Sequence, residues 1–193
     1  EWNTYVEANT PKFLENYNIA DALYAGSLLH ACINRGNIIT NTGIYHLINV
    51  MGNYRIEGKK IWKTPTTLVL ELMTKFHKGI ILETKIKTNK FKSPRLGKQP
   101  QYSNNLLIDA ATTFQKNKYC ISIVNKSENK KIKVNFPKFK KIIESYTVNG
   151  KSKTDLNTEN KRNNVIIKKN IVKVINNQIT LPPHSFSLFR LIV

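Results

Sequence analysis

Apolar residues at helical spacing mark two stretches in the first part of the chain. From Ile19 to Arg35 the series Ile19, Ala22, Leu23, Leu29, Cys32 and Ile33 predicts a helix with one buried stripe. Asn18 is placed to cap it, Asp21 suits its first turn, and Gly36 is a C′ residue after Arg35. From Pro65 to Lys78, Leu68, Val69, Leu72, Met73 and Phe76 make a second stripe. Thr64 can cap that helix, Pro65 fits its first position, and Gly79 ends it. Between them, Ile44-Tyr45-His46-Leu47-Ile48-Asn49-Val50 is short, apolar and β-branched enough for a buried strand, and Gly52 breaks it. Helix, buried strand, loop and helix follow the rhythm of an α/β barrel.

After Gly79 the helical period is lost. Short alternating runs separated by Asn, Lys, Gly and Ser take over, with strands expected at Asn105–Ala111, Tyr119–Asn125 and Lys131–Phe136. In the last of these, Ile132, Val134 and Phe136 share one face, and Asn125 to Lys130 reads as the turn of a hairpin. Asn149-Gly150 is another turn, and further strands are expected at Val165–Ile167, Ile171–Ile175 and Ser185–Ile192. Several strands with regular turns indicate a β-sandwich. Lys151 to Asn164 reads as a long solvated loop, and there is no internal repeat. The fold class expected is therefore α/β over residues 1–79, followed by all-β over 80–193.

At 193 residues the chain can bury a sizeable core. Its net charge of +19 invites a nucleic-acid reading, but the charge is uneven. Residues 1–80 hold 8 Lys/Arg against 6 Asp/Glu, a net +2, and residues 81–193 hold 23 against 6, a net +17. The excess is mostly Lys, spread through strand-like segments rich in Asn and Ile, with few Arg for bidentate phosphate contacts. That pattern fits compositional drift better than a recognition surface. Cys32 and Cys120 lie far apart in apolar patterns and read as buried thiols, which points to a reducing, cytoplasmic setting. The chain shows no initiating Met and no basic-then-apolar leader, so a fragment is expected. No apolar run approaches the ~20 residues of a membrane helix.

The chain opens on Glu1-Trp2-Asn3, with Tyr5 at one remove. Tyr17-Asn18-Ile19-Ala20-Asp21-Ala22-Leu23 follows, and Leu181-Pro182-Pro183-His184-Ser185-Phe186 stands near the end. Together these segments resemble the α-L-arabinofuranosidases of glycoside hydrolase family 51. In that family an Asp-Glu-Trp-Asn run ends a barrel strand, and its Glu is the catalytic nucleophile. The resemblance assigns that role to Glu1. It implies that residues 1–79 are the last βα units of a (β/α)8 barrel, leading into a jelly-roll-like β-sandwich that can lack a strand the family takes from its N-terminus. On that reading the helices lose the barrel neighbours their stripes were patterned to cover.

The activity implied is the release of terminal non-reducing arabinofuranosyl units from arabinan or arabinoxylan oligosaccharides, in L-arabinose metabolism. No cofactor and no metal are implied, and the parent enzyme is expected to be a homo-oligomer. A retaining glycosidase needs two carboxyl groups about 5–5.5 Å apart. The family's acid/base Glu lies upstream of this chain's first residue. Glu7, Glu15, Asp21 and Glu57 are poor substitutes, so the chain alone is expected to be inactive. Tyr5 stands where the family usually carries a Trp that walls the sugar. His46 stands where many members have a sugar-binding Gln, so it is either sugar-facing or a buried histidine satisfied by backbone. Trp62 reads as packing and Asn49 as structural.

Two other classes compete with this reading. A non-catalytic carbohydrate-binding or structural β-module needs an aromatic platform, which the sandwich sequence does not clearly show. A basic polyanion- or nucleic-acid-binding protein needs clustered Arg and interleaved aromatics, which are not found. A related retaining enzyme of another pentose specificity is also open. His30, His77 and His184 show no nucleophile or metal constellation, and Asn125-Lys126-Ser127 fits a glycosylation pattern.

Overall fold

The computed structural model describes residues 1–4, 17–50, 52–95, 100–136, 138–172 and 177–192. In chain order its elements are α1 (Ile19–Ile33), β1 (Tyr54–Glu57), β2 (Lys60–Lys63), α2 (Pro65–Phe76), β3 (Ile80–Leu82) and β4 (Lys90–Ser93). They continue with β5 (Tyr102–Leu106), β6 (Ile108–Gln115), β7 (Lys118–Asn125), β8 (Ile132–Asn135), β9 (Lys141–Asn149), β10 (Ile167–Lys169), β11 (Gln178–Leu181) and β12 (Ser185–Ile192). The centre is a six-stranded antiparallel sheet in the order β10-β9-β12-β7-β6-β3. β6 and β7 are joined by Lys116-Asn117, both at positive φ (49° and 58°), the geometry that a two-residue hairpin turn requires.

Strand alternation gives this sheet two apolar faces. Cys120, Val124, Val148, Phe186 and Leu188 face the helices and bury against Ile19, Ala22, Leu23, Leu68, Val69, Leu72 and Met73. Ile108, Ala110, Ile123, Phe189 and Leu191 face the other way, towards Phe136, Ile179 and Leu181. On that side β8 pairs with β11 as a separate two-stranded sheet. The layers are thus a helix pair, a six-stranded sheet and a smaller ribbon. This is a mostly β structure with two helices, in keeping with a β-sandwich.

Local signals for α1 hold at its start. Asn18 accepts from the backbone N–H of Ala20 and Asp21, and Asp21 reaches back to the Asn18 N–H, completing a capping box. The helix ends at Ile33 with Asn34 as its cap, two residues before the expected Arg35, and Gly36 is not in the left-handed region. Gly79 is, at φ +83°, and a Cβ there would stand 2.4 Å from the Phe114 carbonyl oxygen, so both conformation and space demand glycine. Thr64 precedes Pro65 as expected but makes no side-chain cap; its hydroxyl donates instead to the Asn53 carbonyl.

Several expectations need correction. Residues 1–79, expected as the incomplete end of a (β/α)8 barrel, form no parallel ladder among the described residues, and Ile44–Val50 is not a buried strand. Ile44 makes one parallel bridge to Trp2 and Ile48 one to Tyr54, while Leu47, Ile48 and Val50 are 65%, 46% and 43% exposed. A strand patterned for burial on both faces needs neighbours, and none flanks this one with a continuous ladder. The helices, in turn, do not lose their cover, because their stripes meet the central sheet. Asn125 to Lys130 is not a hairpin turn, since β7 sits between β6 and β12 and the chain crosses there to the other sheet. The Asn105–Ala111 run is broken at Leu107 into β5 and β6, and the strand expected at Val165–Ile167 begins at Ile167, leaving Val165 1% exposed as core. Of the expected strand Ile171–Ile175, residues 173–175 lie outside the described residues.

The 151–164 segment is more than a solvated loop. Asn157, 5% exposed, donates to the carbonyls of Lys63 and Val165 at 2.9 Å each and accepts from Val165 N–H at 2.7 Å. The carbonyls of Asp155 and Lys153 accept from Ile19 and Ala20 N–H at 3.0 Å, which ties the loop to the first turn of α1.

Candidate functional site

The Glu1-Trp2-Asn3 run lies beside the chain at Gly43–Tyr45. Trp2 N–H donates to the Gly43 carbonyl at 3.0 Å, Tyr45 N–H donates to the Trp2 carbonyl at 3.3 Å, and the Trp2 indole donates to Thr42 Oγ1 at 2.6 Å. Trp2 and Ile44 therefore run parallel, with α1 between them in sequence. Glu1 is exposed at the head of this arrangement. Asn3 is half-buried, and its side-chain oxygen accepts from Thr4 N–H at 2.7 Å.

His46 follows on the partner segment. Its ring is exposed and meets the Tyr45 ring edge-on, with centroids 5.1 Å apart, and its carbonyl accepts from Asn53 N–H at 3.1 Å. Tyr5, Glu7 and Glu15 lie outside the described residues. Asp21 belongs to the helix cap: burial raises its carboxyl pKa, opposed by hydrogen bonds from Asn18 N–H and the Thr4 side chain. Glu57 is exposed on β1.

Asn49 sits at φ 48° and clasps the N–H and carbonyl of Ile56 at 2.8 and 3.2 Å, a structural role. Trp62 is 8% exposed and donates to the Asn157 carbonyl at 3.1 Å, in keeping with packing. Among the described residues no group of three or more His, Cys, Asp or Glu could hold a metal, and both cysteines are free. No described helix is long and apolar enough to cross a membrane.

On the far face of the central sheet an apolar cleft of about 750 Å³ opens between the sheet and β8. Ile108, Ile121, Ile123, Phe136 and Leu191 line it, and Lys85, Lys87, Lys133 and Lys138 stand around it. The lysines surround an apolar trough that Tyr119, Phe136 and Phe139 also line.

One constellation escapes sequence reasoning. His30, Asp109, Ser122, His77 and Thr113 form a continuous hydrogen-bonded chain between the helices and the sheet. Its bonded neighbours are separated by 36 to 92 residues, so no local spacing announces them. Asp109, His30 and Ser122 are connected in the order of a hydrolase triad, but Ser122 is 0% exposed and closed to substrate.

The family model described as the alpha-L-arabinofuranosidase C-terminal domain matches residues 1–185. A solved glycoside hydrolase family 51 α-L-arabinofuranosidase from Thermotoga petrophila RKU-1 superposes with a TM-score of 0.85 at 21% identity, over 98% of this chain and 42% of that one. The arabinose complex of the Thermotoga maritima enzyme gives 0.86 at 20%, over 100% and 42%. The family 51 enzyme from Xanthomonas axonopodis pv. citri gives 0.78 at 18%, over 97% and 38%. The chain thus spans about two fifths of the length of the Thermotoga structures it matches. No curated protein matches it in sequence.

Proposed function

We propose, from the premise that this chain belongs to the α-L-arabinofuranosidases of glycoside hydrolase family 51 and forms their C-terminal part, that Glu1 is the nucleophile of a retaining glycosidase. The observation that carries the reading is the parallel bridge between Trp2 and Ile44. A parallel bridge between the segments before and after a helix is the connectivity of a βαβ unit, whereas every ladder of the central sheet is antiparallel. Residues 1–79 are then the closing lap of a (β/α)8 barrel whose earlier strands precede Glu1 in a longer parent. Ile38, Leu47, Ile48 and Val50, at 74%, 65%, 46% and 43% exposed, are the surface such neighbours cover. The apolar cleft beside β8 fits a further strand from the parent's N-terminal part.

The chemistry follows from two carboxylates. The Glu1 carboxylate attacks the anomeric carbon, and a second carboxylic acid on an earlier strand protonates the leaving oxygen and then activates water. His46, exposed beside the Glu1 segment, hydrogen-bonds the sugar hydroxyls in place of an amide, and Tyr5 walls the ring. The substrates are terminal arabinofuranosyl units of arabinan and arabinoxylan oligosaccharides, handled in the cytoplasm by a homo-oligomer. The test is an assay of the purified 193-residue chain on an aryl arabinofuranoside. It lacks the acid, so release of the phenol is expected to stay at the rate of buffer; robust turnover would overturn the division of the two carboxylates between this chain and its upstream part.

A further inference from the structure

Five side chains from the helix layer and the sheet beneath it share one proton-bearing path. Asp109 on β6 faces His30 Nδ1 on α1 at 2.5 Å, and His30 Nε2 lies 2.7 Å from Ser122 Oγ on β7. Ser122 Oγ is also 2.7 Å from Nε2 of His77, which follows α2, and His77 Nδ1 is 3.2 Å from Thr113 Oγ1, again on β6. The second Asp109 oxygen accepts from the Ser27 hydroxyl at 2.7 Å and pairs with the Lys126 ammonium at 2.6 Å. His30, Ser122 and Thr113 are 1%, 0% and 4% exposed, so a mismatched hydrogen there has no water to turn to.

Counting hydrogens leaves two consistent patterns. Burial raises the Asp109 pKa, but the hydrogen bond and charge of His30 and the charge of Lys126 outweigh it and hold the carboxyl below its usual range. Ionised, it only accepts, so His30 Nδ1 carries a hydrogen. When His30 is neutral its Nε2 is bare and accepts the single Ser122 hydrogen. Ser122 then has nothing to give His77, so His77 carries its hydrogen on Nε2 and accepts from Thr113 at Nδ1. When His30 takes a proton at Nε2, that hydrogen points at Ser122 Oγ, and Ser122 turns its own towards His77. His77 must then be bare at Nε2 and carry its hydrogen on Nδ1, donating to Thr113. Mixed patterns either set two lone pairs against each other at 2.7 Å or make Ser122 Oγ accept from both rings, which leaves its own buried hydrogen off the path.

We infer that this chain is a proton-driven tautomer switch between the helix layer and the sheet: one proton gained by His30 reverses every bond from Ser122 to Thr113 and moves the His77 hydrogen from Nε2 to Nδ1. The balance is one proton taken from solvent at His30; His77 gives up one hydrogen and takes one, by exchange at its half-buried ring. Burial, with the charge of His30 beside it, pushes His77 down to about 3, so His77 is not where the added proton rests. Among the described residues, the other groups set against the path are Cys120 on the same face of β7, whose thiol burial pushes up to about 12, and the Phe186 ring of β12, 6.0 Å from His30. Thr113 pairs with Ile81 on the edge strand β3, so the reversal extends from α1 to the sheet margin.

The test is long-range ¹H–¹⁵N correlation of the ¹⁵N-histidine-labelled chain, followed from about pH 8 to about pH 5, the range in which histidine changes charge. The expected result is that the two ring nitrogens of His77 exchange roles while the ring stays neutral, with the same midpoint as protonation of His30. In Ser122→Ala the His77 tautomer should no longer follow His30, and in His30→Gln, which takes no proton, it should not change with pH. The inference is overturned if wild-type His77 keeps one tautomer throughout, if it becomes charged together with His30, or if it switches unchanged in Ser122→Ala. The wild-type titration decides by itself should either variant fail to fold.

Discussion

In a chain that carries the barrel upstream of Glu1, Glu1→Gln is expected to lower kcat on an aryl arabinofuranoside by about 10²–10⁴-fold or more. Glutamine has nearly the shape of glutamate, so the fold and the sugar contacts should persist. What it loses is the negative charge and the attacking oxygen, and without them no glycosyl-enzyme bond forms. Glu1 is exposed at the head of the segment that runs parallel to Ile44, so its replacement disturbs no core residue. An unchanged melting temperature with collapsed kcat is the expected pair of results. Activity within a few-fold of the parent would assign the nucleophile elsewhere.

The largest effect on stability is expected at Phe186. Its side chain is fully buried, at 0% exposure, on the central strand β12, opposite Val124 on β7 and Val148 on β9. A Cβ built on Gly26 of α1 would lie 3.0 Å from the Phe186 ring, so helix and ring are already in close contact. Phe186→Ala therefore opens a cavity where the helix layer meets the sheet, at a cost of about 3–5 kcal/mol. That is a large share of the roughly 5–15 kcal/mol that holds a domain together. Urea unfolding should show it as a lowered midpoint with little change in slope. Leu47→Ala, at a side chain 65% exposed, should stay within about 0.5 kcal/mol. Equal, small losses at both positions would mean that the helices do not share the core of the sheet.

Features set by near neighbours were legible before the structure. The Asn18–Asp21 capping box, Pro65 at the first turn of α2 and the final strand Ser185–Ile192 each need only a few adjacent residues. Partners were not legible. The alternation of Ile132 and Val134 locates β8 but does not say that it pairs with Ile179 and Leu181, more than 40 residues on, in place of β7. Ile44–Val50 reads as buried because its residues are apolar, but burial belongs to the neighbours, and here Leu47 and Val50 face outward. Asn157 is polar in a polar loop and reads as solvated; only the fold brings the Lys63 carbonyl within its reach. The His30 path fails for the same reason, since its closest-spaced bonded pair, His77 and Thr113, is 36 residues apart. Glu1 carried no signal of its own beyond the Trp2-Asn3 that follows it, and the family likeness gave those three residues their meaning.

The most direct test of the nucleophile assignment is covalent trapping. A retaining glycosidase passes through a glycosyl-enzyme bond, and a 2-fluoro arabinofuranoside with a good leaving group slows its hydrolysis enough to let it accumulate. The chain extended by its upstream barrel would be treated with this reagent, digested and sequenced by tandem mass spectrometry. The adduct is predicted on the carboxylate of Glu1, in the peptide that continues Trp2-Asn3-Thr4, and should be absent from Glu1→Gln. An adduct on any other carboxylate, or turnover with inversion and no adduct at all, would contradict the account.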